Sequence, residues 1–248
     1  MKPAISIILP CRNEQDALAF CLAQIKKAIK ENNLSAEIIV SDSSTDQSPE
    51  IARSDPTIIL VKHDKEGYGT AYLEALKFAR GKYVFMADAD GTYEFSEIPR
   101  FIKFLENGYN FVIGNRFAGK MEKGAMPLSR KVSNFLISKT LKLIFKTEIN
   151  DSQCGMRAIK KEALQILNPA SAGMEFASEL VIKSKKFGLK TKELPIDYRK
   201  RKGKSKLNLF SDALRHLKLI LILFNSVQST GLNNYLNSCL NDTKKRVF

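Results

Sequence analysis

Residues 5–14 read Ile5-Ser6-Ile7-Ile8-Leu9-Pro10-Cys11-Arg12-Asn13-Glu14: a short apolar run, then a polar loop, then the start of a helical pattern. Apolar runs of this length, without a clean alternation of polar residues, suit strands covered on both faces in a parallel sheet. The pattern recurs along the chain. Beyond Ile5–Leu9, the segments Glu37–Val40, Thr57–Lys62, Tyr83–Met86 and Asn110–Gly114 read as strands. Glu14–Glu31, Ser48–Arg53, Gly69–Arg80 and Ser96–Asn107 read as helices between them, the first with an apolar stripe through Ala17, Cys21, Ile25 and Ala28–Ile29. This repeated β-α order predicts an α/β, Rossmann-like sheet, doubly wound and mainly parallel, whose site lies at the carboxyl ends of the strands.

Those strand ends are loaded with polar residues. Leu9 is followed by the Pro10–Glu14 loop, Val40 by Ser41-Asp42-Ser43-Ser44-Thr45-Asp46, and Met86 by Ala87-Asp88-Ala89-Asp90-Gly91. Asp88 and Asp90 carry the sharpest signal. Two carboxylates one residue apart repel unless a cation or a strong positive field lies between them. Their side chains start on opposite faces of an extended chain, so both reach one ion only if the strand ends in a turn, which Gly91 permits. A divalent ion held there would grip a diphosphate; the plainer reading is a polar turn with a capping aspartate.

Two competing phosphate binders are excluded by motif. The loop after the first strand has no glycine, so GxGxxG is missing, and no GxxxxGK[ST] occurs anywhere; Gly67-Tyr68-Gly69 offers only a GxG after the third strand. His63 and His216 are the only histidines and lie far apart in sequence, which argues against a His-rich zinc site or a Ser-His-Asp hydrolase.

Length and composition set the outer bounds. With 248 residues, 44% hydrophobic and 27% charged, the chain is an ordinary globular one and not a fibre, a disordered chain or a multi-span membrane protein. It carries a formal charge of +14, which favours phosphate-bearing partners without choosing among nucleic acid, anionic membrane and nucleotide-like substrates. Lys183–Lys206 holds 11 basic residues against Glu193 and Asp197, nine of the fourteen net charges. Cys11, Cys21, Cys154 and Cys239 form no CxxC pair, which implies free thiols and a reducing compartment. The N-terminus reads as a first strand and not as a signal peptide, and Leu219–Phe224 is far short of the roughly 20 residues that span a bilayer.

Taken in order, Ile5–Glu14, Ser41–Asp46, Gly67-Tyr68-Gly69-Thr70-Ala71 with Gly81, and Asp88-Ala89-Asp90 resemble the successive motifs of family 2 glycosyltransferases of the GT-A fold. Within that family the chain is most similar to the dolichyl-phosphate (polyprenyl-phosphate) sugar synthases. Further matches are Ile113-Gly114-Asn115-Arg116, Arg130 with Asn134, Asp151-Ser152-Gln153-Cys154-Gly155-Met156-Arg157, and Arg199–Leu207. The resemblance runs from Ile5 to about Leu207, and the order of the motifs is more specific than any one of them.

The resemblance implies roles for these positions. Pro10, Arg12, Glu14 and Asp42 would line the base and ribose pocket, with Lys65 and Gly67 closing near the nucleotide. Asp88 and Asp90 would hold Mg²⁺ or Mn²⁺ against the donor diphosphate. Arg116 and Arg130 would receive the acceptor phosphate, Arg201, Ser205 and Lys206 would form a basic loop over the phosphates, and Asp151 and Gln153 would sit beside the sugar or acceptor. Two departures bear on the donor. Family members usually carry paired aspartates where this chain has Ser41-Asp42, and mannosyl enzymes often follow the acidic pair with a glutamine where this chain has Gly91-Thr92-Tyr93; UDP-sugars such as UDP-GlcNAc or UDP-Glc therefore stand ahead of GDP-mannose. With no tryptophan there is no QxxRW motif of processive synthases, which favours transfer of a single sugar.

Residues 1–206 thus read as a GT-A catalytic domain, and 207–248 as a basic, amphipathic helix with a polar tail. Leu207, Leu209–Phe210, Leu214, Leu217, Ile220–Leu221 and Phe224 recur at helical spacing beside Lys206, Arg215 and Lys218. Such a helix either lies at an anionic membrane surface or packs as core. The expectation is a metal-dependent, inverting transferase of one sugar from a nucleotide-sugar donor to a polyprenyl or dolichyl phosphate, peripheral on the cytoplasmic face of a membrane. The alternatives are a transferase to a hydroxyl, which needs a base for which Asp151 is the attractive candidate, a nucleotidyltransferase, and a basic nucleic-acid or membrane-binding module. The last has no need of Asp88 and Asp90, so nucleic acid is disfavoured as a partner.

Overall fold

The computed structural model describes residues 2–203 and 214–224. One seven-stranded sheet is built from β1 (Ile5–Cys11), β2 (Ala36–Asp42), β3 (Ile58–Lys62), β4 (Tyr83–Met86), β5 (Phe111–Asn115), β6 (Arg157–Lys160) and β7 (Thr191–Pro195). Its order is β3-β2-β1-β4-β6-β5-β7. Only β6 runs antiparallel, against β4 on one side and β5 on the other; all other pairs are parallel. The connecting helices are α1 (Gln15–Glu31), α2 (Ser48–Arg53), α3 (Tyr68–Leu76), α4 (Ile98–Glu106), α5 (Leu128–Phe145), α6 (Lys161–Leu167) and α7 (Phe176–Lys186), with α8 at 214–224. The mixed, mostly parallel sheet flanked by helices is the GT-A architecture expected from the sequence.

β1 and β4 lie side by side at the centre, and Ile7, Ile8, Leu9, Val84, Phe85 and Met86 are wholly buried. That burial explains why their sequences show apolar runs and no alternation. α1 buries Ala17, Leu18, Cys21, Leu22, Ile25 and Ala28, and α4 buries Ile98, Phe101, Ile102 and Leu105, each at the spacing that puts one face of a helix on the sheet. Because β1, β2 and β4 are parallel and in register, the loops after Cys11, Asp42 and Met86 leave the sheet at one edge. They are also tied to one another. Asn13 Oδ1 accepts the Thr45 N–H at 2.8 Å, and Ser44 Oγ accepts that of Asn13 at 2.7 Å.

The Gly67-Tyr68-Gly69 segment has a structural use that its sequence does not announce. Gly67 sits at φ +123°, and the N–H groups of Gly69 and Thr70, at the start of α3, donate to the carbonyls of Gly173 and Ala172. A Cβ on Gly69 would lie 2.0 Å from the Ser171 carbonyl oxygen, which is backbone and has little room to yield. Gly69→Ala is therefore expected to destabilise the fold by about 1–3 kcal/mol through overpacking. Urea denaturation measures this, and an unchanged midpoint would contradict the packing described.

The described part of the basic stretch, 183–203, is dispersed in space. Lys183 pairs with Glu179, Lys185 with Glu148, Lys190 lies over the Tyr109 ring and Lys192 over that of Phe104, and Arg199 pairs with Glu94. Only its last described part, 199–203, folds over the acidic turn after β4. In α8, His216, Leu219, Ile220 and Leu223 are buried while Leu214, Leu217 and Leu221 are exposed, so the helix both docks on the domain and keeps an apolar strip outward. Residues 204–213 and 225–248, with the expected roles of Ser205, Lys206, Leu207, Leu209–Phe210, Cys239 and the polar tail, lie outside the described residues. Among those described, no helix is long and apolar enough to cross a membrane.

Candidate active site

A cleft of about 400 Å³ opens at the carboxyl edge of the sheet. Pro10 and Cys11 at the end of β1, Arg12 and Glu14 after it, Ser43 after β2, Glu66 and Gly67 before α3, and Tyr68 and Ala71 in its first turn form one side; Asp88, Ala89 and Asp90 after β4, with Gly173, Met174, Arg201 and Arg215, form the rest. Arg12 and Glu66 pair at 2.5 Å, both largely exposed. The Cys11 thiol is held in its protonated form. Burial, followed by the charge of Asp42, pushes its thiol up to about 12.

Gly91, at φ +81°, turns the chain directly after the acidic pair, as the sequence required. Asp90 Oδ1 accepts the Thr92 hydroxyl at 2.6 Å and the Thr92 N–H at 3.1 Å, which leaves its other oxygen facing Arg201 Nη1 at 3.4 Å. Arg201 also pairs with Glu14, so it bridges the two walls of the cleft. Its loop is docked backbone to backbone: the Lys202 N–H donates to the Asp90 carbonyl and the Arg199 N–H to that of Thr92, both at 2.9 Å.

Asp88 is the less satisfied carboxylate. Its Oδ1 is buried without a hydrogen-bond partner among the described residues. Burial first and the charge of Asp90 second raise its carboxyl from 3.8 to about 6, against the opposing pull of Arg201, Arg157 and Arg116. A buried acceptor beside a second carboxylate suits a cation. Gly155 allows it to form. A Cβ there would lie 2.5 Å from Asp88 Oδ2, and the Gly155 N–H is held by the Tyr93 hydroxyl at 2.8 Å. Asp88 and Asp90 thus fit a divalent metal. Because no group of three His, Cys, Asp or Glu side chains converges among the described residues, the other coordination positions would fall to the bound substrate and water.

Several expected site residues lie elsewhere. Asp42 is wholly buried under the cleft; its Oδ2 takes Lys62 Nζ at 2.7 Å, and its Oδ1 has no partner among the described residues. Lys65 is exposed and turned to Glu74 at 2.6 Å. Gln153 is buried behind the site, with its amide nitrogen donating to Ser178 Oγ at 2.8 Å and its oxygen 3.2 Å from His216 Nε2. Arg116 and Asp151 differ most from expectation. Arg116 donates to Asp151 through Nε at 2.8 Å, Nη2 at 2.7 Å and its backbone N–H at 3.0 Å, both side chains being almost wholly buried. A guanidinium fork filled by a carboxylate is not presented to a second anion, and the carboxylate is equally occupied. Arg130 lies in the first turn of α5, half-buried and outside the cleft lining.

The sequence also left residues unassigned. Arg157 opens β6, is fully buried, and donates from Nη2 to the Ser152 carbonyl at 3.3 Å. A wholly buried arginine next to the Asp88 carboxylate supplies fixed positive charge beneath the acidic pair, and only its place in the Asp151–Arg157 motif hinted at it. Arg215 reaches the cleft from α8, where sequence alone marked it as one more basic residue near an apolar stripe.

The sheet order, with one antiparallel strand inserted among parallel ones and an acidic pair at the end of β4, defines a GT-A fold. Residues 6–167 match the family model described as glycosyl transferase family 2, and the chain belongs to that family. It is 36% identical over 222 residues to the low-salt glycan biosynthesis hexosyltransferase Agl6 of Haloferax volcanii, covering 89% of this chain and 54% of the relative, so it spans about half that protein's length. It is 29% identical over 210 residues to the dolichyl-phosphate hexose transferase of the same organism, covering 84% of this chain and 88% of the relative. In fold it resembles glucosyl-3-phosphoglycerate synthase of Mycobacterium tuberculosis, crystallised with Mn²⁺, UDP and phosphoglyceric acid, at a TM-score of 0.70 and 20% identity over 90% of this chain and 78% of the other.

Proposed function

We propose that this protein is an inverting, metal-dependent glycosyltransferase that moves one hexosyl unit from a nucleotide sugar to a polyprenyl or dolichyl phosphate at the cytoplasmic face of a membrane. The observation that carries this reading is the acidic pair: Asp88, with a buried oxygen that has no partner among the described residues, and Asp90, tied by Thr92, face Arg201 across the cleft. A bound Mg²⁺ or Mn²⁺ would neutralise the charge that develops on the leaving diphosphate. The chain's own groups do the rest. Arg12, Glu14 and Pro10 flank the nucleotide, while Asp42, wholly buried beneath the cleft, supports that wall through Lys62; Ser41-Asp42 in place of paired aspartates favours a uracil donor over guanine. Arg201 can exchange its contacts with Glu14 and Asp90 for the diphosphate, a guanidinium being well matched to phosphate oxygens. The UDP and Mn²⁺ held by the mycobacterial synthase are consistent with the same arrangement.

The state of the candidate base bears on the nature of the acceptor. A hydroxyl needs one, whereas a phosphate monoester, with a second pKa of ~6, is already largely ionised at pH 7 and can attack the anomeric carbon directly. Asp151, the candidate base, has both oxygens committed to Arg116, which supports the phosphate acceptor. The dolichyl-phosphate activity named for the Haloferax relative agrees. Arg130, at the mouth of α5 beyond the cleft, would receive the acceptor phosphate.

A panel of radiolabelled UDP- and GDP-sugars, incubated with polyprenyl phosphate and Mn²⁺ and scored for organic-extractable label, tests this directly. Label from one UDP-hexose is expected. Arg130→Ala should raise the KM for the lipid phosphate about tenfold or more, the worth of one charged phosphate contact, and leave the KM for the donor within about twofold. Label passing only to a hydroxyl acceptor, or equal losses for both substrates, would refute the assignment.

A further inference from the structure

α5 is amphipathic in the wrong sense for a helix packed on a sheet. Its buried residues are Asn134, Ser138 and Leu141, two of them polar, with Ser138 Oγ 2.9 Å from Ser152 Oγ. Its solvent side carries Leu128, Val132, Phe135, Leu136 and Leu143, with Leu128 75% and Leu143 82% exposed. At 3.6 residues per turn these five fall within an arc of roughly 100°. Lys139 lies inside that arc, its Nζ 5.7 Å from the Phe135 ring centroid, and Lys131 and Lys142 flank one edge of it. The 18-residue helix contains no acidic residue. Single exposed apolar side chains are ordinary on a protein surface; a continuous arc of them is not.

We infer that the outer face of α5 is a membrane-docking surface for an anionic bilayer, on which the helix lies in the plane of the headgroups. Charge selects this occupant. A second copy of the chain would set one acid-free cationic helix against another, whereas anionic lipid meets the lysines while the leucines and Phe135 enter the acyl boundary. The placement also gives the helix two useful sides. Arg130 sits in its first turn, so the element that would receive the acceptor phosphate is also the element resting on the lipid surface that contains it. The inference rests on the polyprenyl-phosphate reading only for that last consequence; the apolar, basic face stands without it.

The chain has no tryptophan, so Phe135→Trp introduces a unique reporter. Its emission is expected to shift to the blue on adding vesicles of phosphatidylglycerol and phosphatidylcholine, and to be quenched when the acyl chains are brominated. Phe135→Glu with Leu143→Glu should lower co-sedimentation with those vesicles by about tenfold or more, with transfer to a short-chain, water-soluble polyprenyl phosphate kept within about twofold. An unshifted, unquenched tryptophan, or a double variant that still sediments like the parent, overturns the inference. So does a parent chain that is dimeric by light scattering and made monomeric by the same pair of changes, since the face is then an interface between copies. Vesicle binding through α5 without any transfer to lipid phosphate would leave this surface standing and remove the proposed acceptor; transfer in detergent without vesicle binding would do the reverse.

Discussion

Asp88→Asn is expected to abolish sugar transfer, by roughly a thousandfold or more, while making the metal-free protein more stable. The activity loss follows from removing one of two anionic ligands where several kcal/mol of leaving-group stabilisation is gathered. The stability gain follows from the environment of the carboxyl. Burial, and then the charge of Asp90, raise it from 3.8 to about 6, so the folded protein holds this proton more tightly than the unfolded chain does. Stability therefore falls as pH rises from about 4 to about 6 and stays lower above that range, where the site holds a carboxylate whose Oδ1 has no partner among the described residues. Asparagine removes that charge. At pH 7 the melting temperature of the metal-free variant should rise by about 4–8 °C, from of the order of 2 kcal/mol in a chain this size. Mn²⁺ should raise the melting temperature of the parent and leave that of the variant nearly unchanged, as binding to the folded state alone requires. A variant that is both inactive and less stable would mark Asp88 as structural.

The first half of the fold is legible in the sequence because its strands lie at the centre. β1, β2 and β4 are buried on both faces and spell it out in Ile, Val, Leu and Phe, and the expected β4, Tyr83–Met86, coincides with the observed strand. β6 and β7 are not legible in the same way. Arg157-Ala158-Ile159-Lys160 begins with a charge whose burial only tertiary structure explains, and Thr191–Pro195 is half-exposed at the sheet edge and spaced by polar residues. The expected helix Gly69–Arg80 ends early, at Leu76, since Phe78 donates back to Ala75 in a closing turn. The site divides along the same line. Strand-end loops project their residues into the cleft by geometry, so Asp88 and Asp90 can be picked out from position, while Pro10, Arg12 and Glu14, at or just after the end of β1, take their roles from the family resemblance. A pairing of Arg116 with Asp151, 35 residues apart, leaves no periodic trace, and each residue reads as available until the other is seen beside it.

That buried pair carries the second large effect. Asp151→Ala is expected to destabilise the protein by about 3–5 kcal/mol, because it strands the Arg116 guanidinium in an interior where the Tyr198 ring, 5.2 Å away, is a weak substitute for a carboxylate. In a chain of this length that is a fall of roughly 10 °C or more in melting temperature. Arg116→Met should cost a similar amount for the converse reason, the anion now being the stranded partner. Combining Arg116→Met with Asp151→Leu should cost less than the two single changes added together, since neither charge is then left uncompensated. The kinetic outcome separates structure from chemistry. Asp151→Asn keeps an acceptor for the guanidinium, and transfer per folded molecule should stay within about tenfold of the parent. A general base contributes about 10²–10⁴-fold. A loss of that size at an unchanged melting temperature would make Asp151 a reacting group and restore the hydroxyl acceptor; the bidentate pairing, with Asp151 wholly buried, predicts the smaller change.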